Sequence, residues 1–96
     1  MKQLQRHEME LVGRWVVAPS GKMARDATSL RIEWLTKNAL EQVAISERYG
    51  AWKTLFRDPS DGRLWERTYP EGHLQGGGPP MLSTITEEQA RRRYTF

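Results

Sequence analysis

His7 and His73 are the only side chains in the sequence whose ordinary pKa suits proton transfer near neutrality. His7 falls in a polar lead-in, and His73 falls in a glycine- and proline-rich stretch. The sequence has no cysteine, so no thiol nucleophile, disulfide or thiolate-bound metal is available. No serine or threonine sits in a nucleophile-elbow context. Asp58 and Asp61 could be taken as paired carboxylates, but the run Asp58-Pro59-Ser60-Asp61-Gly62 reads better as a turn. Proline presets φ, the aspartates bond the turn backbone, and glycine supplies a left-handed position. The same run begins like a calcium loop, then breaks off at Arg63, Leu64 and Trp65, where further oxygen ligands would be needed. No catalytic, cofactor-binding or metal-ligating residue is expected, and the chain does not read as an enzyme.

Gly76-Gly77-Gly78 could cradle a phosphate only if a helix N-terminus followed. Pro79 and Pro80 follow instead. A tight chain crossing that needs positive φ is the better reading, although bare backbone also lets a partner approach closely.

The chemistry that remains is recognition. On a strand, Arg63, Trp65, Arg67 and Tyr69 share one face. Such a face could stack nucleic-acid bases, bind a protein, or simply be core with arginines lying over rings. The balance of 15 basic against 12 acidic residues disfavours a phosphate-binding groove. A protein-binding surface made of Arg63, Trp65, Arg67 and Tyr69, with His73 and Gln75 adjoining, is therefore the first expectation. A small nucleic-acid-binding domain using the same strand is the second.

The elements that must position this face follow from pattern. Residues 11–18 are β-rich and alternate, and residues 19–22 form a turn cluster. A helix is expected over 26–38, capped by Asp26 with Thr28 and Ser29 as rivals. Its apolar stripe would be Ala27, Leu30 and Trp34, joined by Ile32 and Leu35, and Asn38 would end it in a left-handed stop. Strands are expected over 40–47, with Val43 and Ile45 on one face, and over 52–57. Turn 58–62 then gives a return strand over 63–69, the clearest hairpin in the chain. A short strand over 81–85 precedes Thr86-Glu87-Glu88-Gln89, a capping-box pattern opening a C-terminal helix. Its Arg91-Arg92-Arg93 suit the negative end of that helix.

The order β-α-β-β-β-β-α predicts an α+β domain: a single antiparallel sheet of about four to five strands with two helices packed against it, most simply on one face. With 96 residues one domain is expected, its first seven residues loosely ordered. The four tryptophans are expected to supply much of the core. The N-terminus lacks the apolar region of a secretory signal, and no run approaches the roughly 20 apolar residues of a membrane span. Cytoplasmic residence is the expectation. Charge is spread evenly: 8 basic and 6 acidic residues up to position 50, then 7 and 6.

The second half also carries a composite pattern. Trp52-Lys53-Thr54-Leu55 leads into the 58–62 turn and Arg63-Leu64-Trp65-Glu66, then Thr68-Tyr69-Pro70 and Gly76-Gly77-Gly78-Pro79-Pro80. Upstream stand Glu10-Leu11-Val12-Gly13-Arg14-Trp15 and Arg31-Ile32-Glu33-Trp34-Leu35. As a set, over positions 8–94, this resembles the immunity protein 27 family of bacterial polymorphic toxin systems. The resemblance implies a cognate inhibitor that binds a toxin encoded beside it and protects the producing or neighbouring kin cell. A nuclease, an ADP-ribosyltransferase and a deaminase all stay open as the toxin. Since the chain is slightly basic, simple nucleic-acid mimicry is not expected, and a toxin with an acidic face or a contact set of local patches is.

Overall fold

The computed structural model describes residues 1–72 and 78–96. Among them the chain runs β1 (Glu10–Val12), β2 (Trp15–Val17), β3 (Met23–Arg25), α1 (Ala27–Trp34), β4 (Glu41–Ser46), β5 (Gly50–Arg57), β6 (Leu64–Thr68), β7 (Met81–Ile85) and α2 (Glu87–Arg93). Five strands form one antiparallel sheet in the order β1-β7-β6-β5-β4, while β2 and β3 make a separate ribbon. The α+β class follows directly.

The expected hairpin is the middle of the sheet. Phe56 lies opposite Trp65, and Leu55 lies opposite Glu66. Asp58 accepts from the Ser60 backbone and hydroxyl, Asp61 accepts from the Arg63 backbone, and Gly62 takes φ of 78°. That N–H bond, followed by the Arg63 guanidinium, holds the Asp61 carboxyl below its usual range. Asp58, Ser60, Asp61 and Gly62 are thus all occupied within the turn.

Alternation sends neighbouring residues of β5 and β6 to opposite sides. On one side Phe56 and Trp65 join Leu11, Ile32, Leu35, Leu40 and Leu82, beneath α1. On the other, Leu55 and Leu64 meet Ala90 of α2 and Tyr94, its C-cap. The helices therefore cover opposite faces rather than one. Of the four tryptophans only Trp65 is fully buried. Trp15 and Trp34 are half-buried and Trp52 is exposed.

Several local expectations shift. The strand over 11–18 breaks at Gly13, whose N–H donates to the Pro80 carbonyl. A Cβ there would meet that oxygen at 2.6 Å, as well as Ser29 Oγ. So β1 pairs with β7, while β2 leaves the sheet and turns back on β3. Asp26 does cap α1, accepting from Ser29 N. The buried stripe is Ser29, Ile32 and Leu35, leaving Leu30 exposed. Helical backbone continues through a wider turn at Leu35–Ala39, where Leu40 N donates to Leu35 O, and Leu40 is then extended. No left-handed Asn38 is involved, since no described non-glycine residue has positive φ. Register shifts between Gln42 and Ala44 and between Ile45 and Ser46 bend β4, so Val43 packs inward while Ile45 is exposed.

Residues 1–7, expected as a loose lead-in, carry Leu4 into the α1-side core. Arg31 donates to the Lys2 and Gln3 carbonyls and grips Glu8 through two 2.7 Å bonds. This hydrogen-bonded pairing, with the Gln5 N–H as a lesser contributor, pulls the Glu8 carboxyl down to about 2. At the other end Thr86 and Gln89 complete the capping box, and Arg91, Arg92 and Arg93 occupy the last turn of α2. Gly78, at φ of 69°, lies so close to Glu71 that a Cβ would meet the Glu71 carbonyl oxygen at 2.7 Å. The crossing reading of the glycine run holds at this residue, while Gly76 and Gly77 lie outside the described residues.

A candidate protein-binding surface

β6 does place Trp65 and Arg67 along one side of the sheet, with Arg63 just before its start and Tyr69 just past its end, but the four do different work. Trp65 is 0% exposed and belongs to the core. Arg63 lies over its ring at 4.9 Å and donates to the Glu8 and Gln5 carbonyls, so it ties the N-terminal segment down. Arg67 sits 5.4 Å from the Phe56 ring and 5.6 Å from that of Tyr69. Its Nη2 donates to Ala51 O and Thr54 Oγ1. Both arginines stack on rings in the manner that guanidinium planes favour. His73 and Gln75, the other two residues of the expected surface, lie outside the described residues. His7 is exposed in the lead-in.

What stands open is the far end of the β5–β6 pair, beyond the reach of α1. Trp52 is 50% exposed and meets Tyr69 edge to face, with centroids 5.3 Å apart. Tyr49, also exposed, carries Lys53 Nζ at 4.6 Å and Arg48 at 5.2 Å from its ring. Tyr49, Trp52, Lys53, Thr68, Tyr69 and Pro70 border an open depression of about 540 Å³. Gly72 completes its rim, with its N–H bonded to Tyr69 O. Aromatic groups that keep a polar edge, set among cations that ride on their faces, are the composition of interface hot spots.

Sequence reasoning passed over Trp52 and Tyr49. The available signal was the count of tryptophans: a chain of 96 residues has little room to bury four. Trp52 also stands near the start of β5, next to the Tyr49-Gly50 break, away from the middle of the sheet. Among the described residues, those lining the depression bring together no serine or cysteine nucleophile with a histidine base and an orienting carboxylate. Among the described residues no three His, Asp or Glu side chains come together as a metal cluster would require.

The chain is a small α+β domain with helices on both faces of its sheet and an aromatic, cation-rimmed open end. The immunity protein 27 family model matches residues 19–86, most of the chain, and the chain belongs to that family. The match runs from the start of the β2–β3 turn to the N-cap of α2, so it includes the whole hairpin and the depression. No curated protein and no solved structure matches the chain. No helix among the described residues is long and apolar enough to cross a membrane.

Proposed function

We propose that this chain is an immunity protein that binds a cognate bacterial toxin one to one, in the cytoplasm, and neutralises it by covering its active site. Family membership supports a toxin partner. The observation that carries the location is the exposed Trp52 ring packed on half-buried Tyr69 beside Tyr49, flanked by Arg67 and Lys53. Inhibition of this kind needs occupancy and no bond chemistry, which suits the aromatic and cationic side chains that line the depression.

The originally expected face contracts under this reading. Trp65 is unavailable for contact, and Arg63 is committed to the N-terminal segment. Tyr69 and the outer edge of Arg67 stay in the interface, and Trp52 and Tyr49 enter it. Arg67→Ala would also uncover Phe56, so it is a poor probe of binding alone. Trp52→Ala and Tyr69→Ala are the better variants.

The test is co-expression with the toxin encoded by the adjacent gene, followed by affinity measurement and rescue of growth. Wild type should co-purify stoichiometrically and protect. Trp52→Ala should weaken the complex by about 30-fold or more, as a central aromatic does. Failure of the wild-type chain to bind or protect, together with salt-sensitive retention on nucleic acid, would refute the proposal.

A further inference from the structure

Adjoining the aromatic depression, and sharing Tyr49 and Lys53 with it, is a second cleft of about 550 Å³ on the α2 side of the sheet. Its walls are the β4–β5 turn, which brings Arg48 and Tyr49, and the last turn of α2, which brings Arg91, Arg92 and Arg93. Lys53 closes it from β5. Five cations thus face one carboxylate, Glu47. The net charge of the chain is only +3, so this is a local concentration that the overall balance conceals.

The cations differ in how firmly they are held. Arg93 is bonded at 2.8 Å to the buried carboxylate of Glu66 and serves as a fixed post. Arg91 also donates to the Phe96 carbonyl and lies 4.1 Å from the Phe96 ring, while Arg91 and Arg92 pair with Glu87 and Glu88 one turn back, in solvent-exposed contacts. Pairs of that kind contribute little and exchange readily for another carboxylate. Arg48 and Lys53 have no ion-pair partner among the described residues, and both rest on the Tyr49 ring. That stacking limits their freedom in advance, so less order has to be imposed on binding.

We infer that this cleft receives a short acidic segment of the toxin, two or three Asp or Glu side chains entering between Arg48–Lys53 and the arginines of α2. The inference rests on the immunity reading above. Arginine forks match carboxylates bidentately. A nucleic-acid backbone, by contrast, asks for a continuous cation track. Here Glu47 interrupts the wall, and Glu87 and Glu88 stand one turn behind the arginines. Local patches of opposite sign suit a folded protein partner better than a uniform polyanion.

The experiment measures toxin binding at low and moderate salt for the full chain, for R48E/K53E and, as a second and independent probe, for R92E. Thermal unfolding checks each variant's fold. Both variants should lose about tenfold or more in affinity at low salt, chiefly through slower association, and should show a flatter salt dependence than wild type. If folded variants hold the toxin within about twofold while Trp52→Ala still weakens it, the cleft inference is overturned and the aromatic contact stands. Should the wild-type chain itself not bind the toxin, both readings fall together. Tight binding of dodecathymidylate that R48E/K53E abolishes, with no competition from the toxin, overturns the inference in favour of nucleic acid.

Discussion

Tyr94→Phe is a sharp test of how α2 is docked. The Tyr94 hydroxyl donates to Glu66 Oε2 at 2.7 Å, inside the α2-side core. Burial first, and the neighbouring Glu66 carboxylate second, push the phenol well above its ordinary pKa, so it stays a donor throughout the accessible pH range. Arg93 donates to the other oxygen, Oε1, from the more exposed side. Removing the hydroxyl deletes one atom and opens almost no cavity, so the cost is that of a lost hydrogen bond to a buried charge. Such bonds contribute about 1.5–3 kcal/mol. With Arg93 still in place, about 2 kcal/mol is the expected loss. For a domain of this size that lowers Tm by about 8–16 °C. Urea and thermal unfolding followed by circular dichroism would measure it. A cycle with Glu66→Gln should return a coupling of about 1 kcal/mol or more. Amide exchange at Ala90, whose N–H bonds to Thr86 O, should rise in step if the helix itself loosens. A Tyr94→Phe protein within about 0.5 kcal/mol of wild type would show that the buried Glu66 oxygen does not depend on this donor, and the docking argument would be wrong.

Two further outcomes follow from contacts elsewhere. Gly13→Ala should destabilise by about 1–3 kcal/mol in urea unfolding, because the added methyl enters the space of the Pro80 carbonyl and Ser29 Oγ. Unchanged stability would mean that β1 can shift without cost. The depressed Glu8 carboxyl contributes stability that is fully present above its ordinary value of 4.5 and is lost as pH falls towards about 2. Each pKa unit corresponds to about 1.4 kcal/mol, and partial solvation of the pair with Arg31 reduces the total to about 1–2 kcal/mol. Wild type should therefore lose its advantage over Glu8→Gln across that window. Parallel pH curves for the two proteins would count against the Arg31–Glu8 pair as a source of stability.

The parts legible in the sequence are those decided within a few residues. The 58–62 turn and the Thr86–Gln89 capping box are local hydrogen-bond devices, and both stand where the residue types put them. Asp26 is the same case. What failed depended on distant partners. The break at Gly13 exists because Pro80 crosses there, 67 positions along the chain. The stripe of α1 turned on which side of the helix the sheet lies, and that side takes Ser29 while leaving Leu30 outside. The strand face of the candidate site was legible as alternation, yet alternation cannot say which part of a face a helix covers. α1 covers Trp65 and stops short of Trp52, which is why one ring is core and the other is open.

The rims of the sheet bear on how a partner is chosen. β1 offers three residues and β4 is twice thrown out of register, so neither margin presents a straight rail of amides to another chain. On the binding reading proposed above, a protein meeting the five-stranded sheet at those margins would engage side chains rather than a strand edge. Selectivity of that sort can change one substitution at a time, with every strand still aligned to its neighbour, so the identity of the bound protein is free to drift while the scaffold stays put.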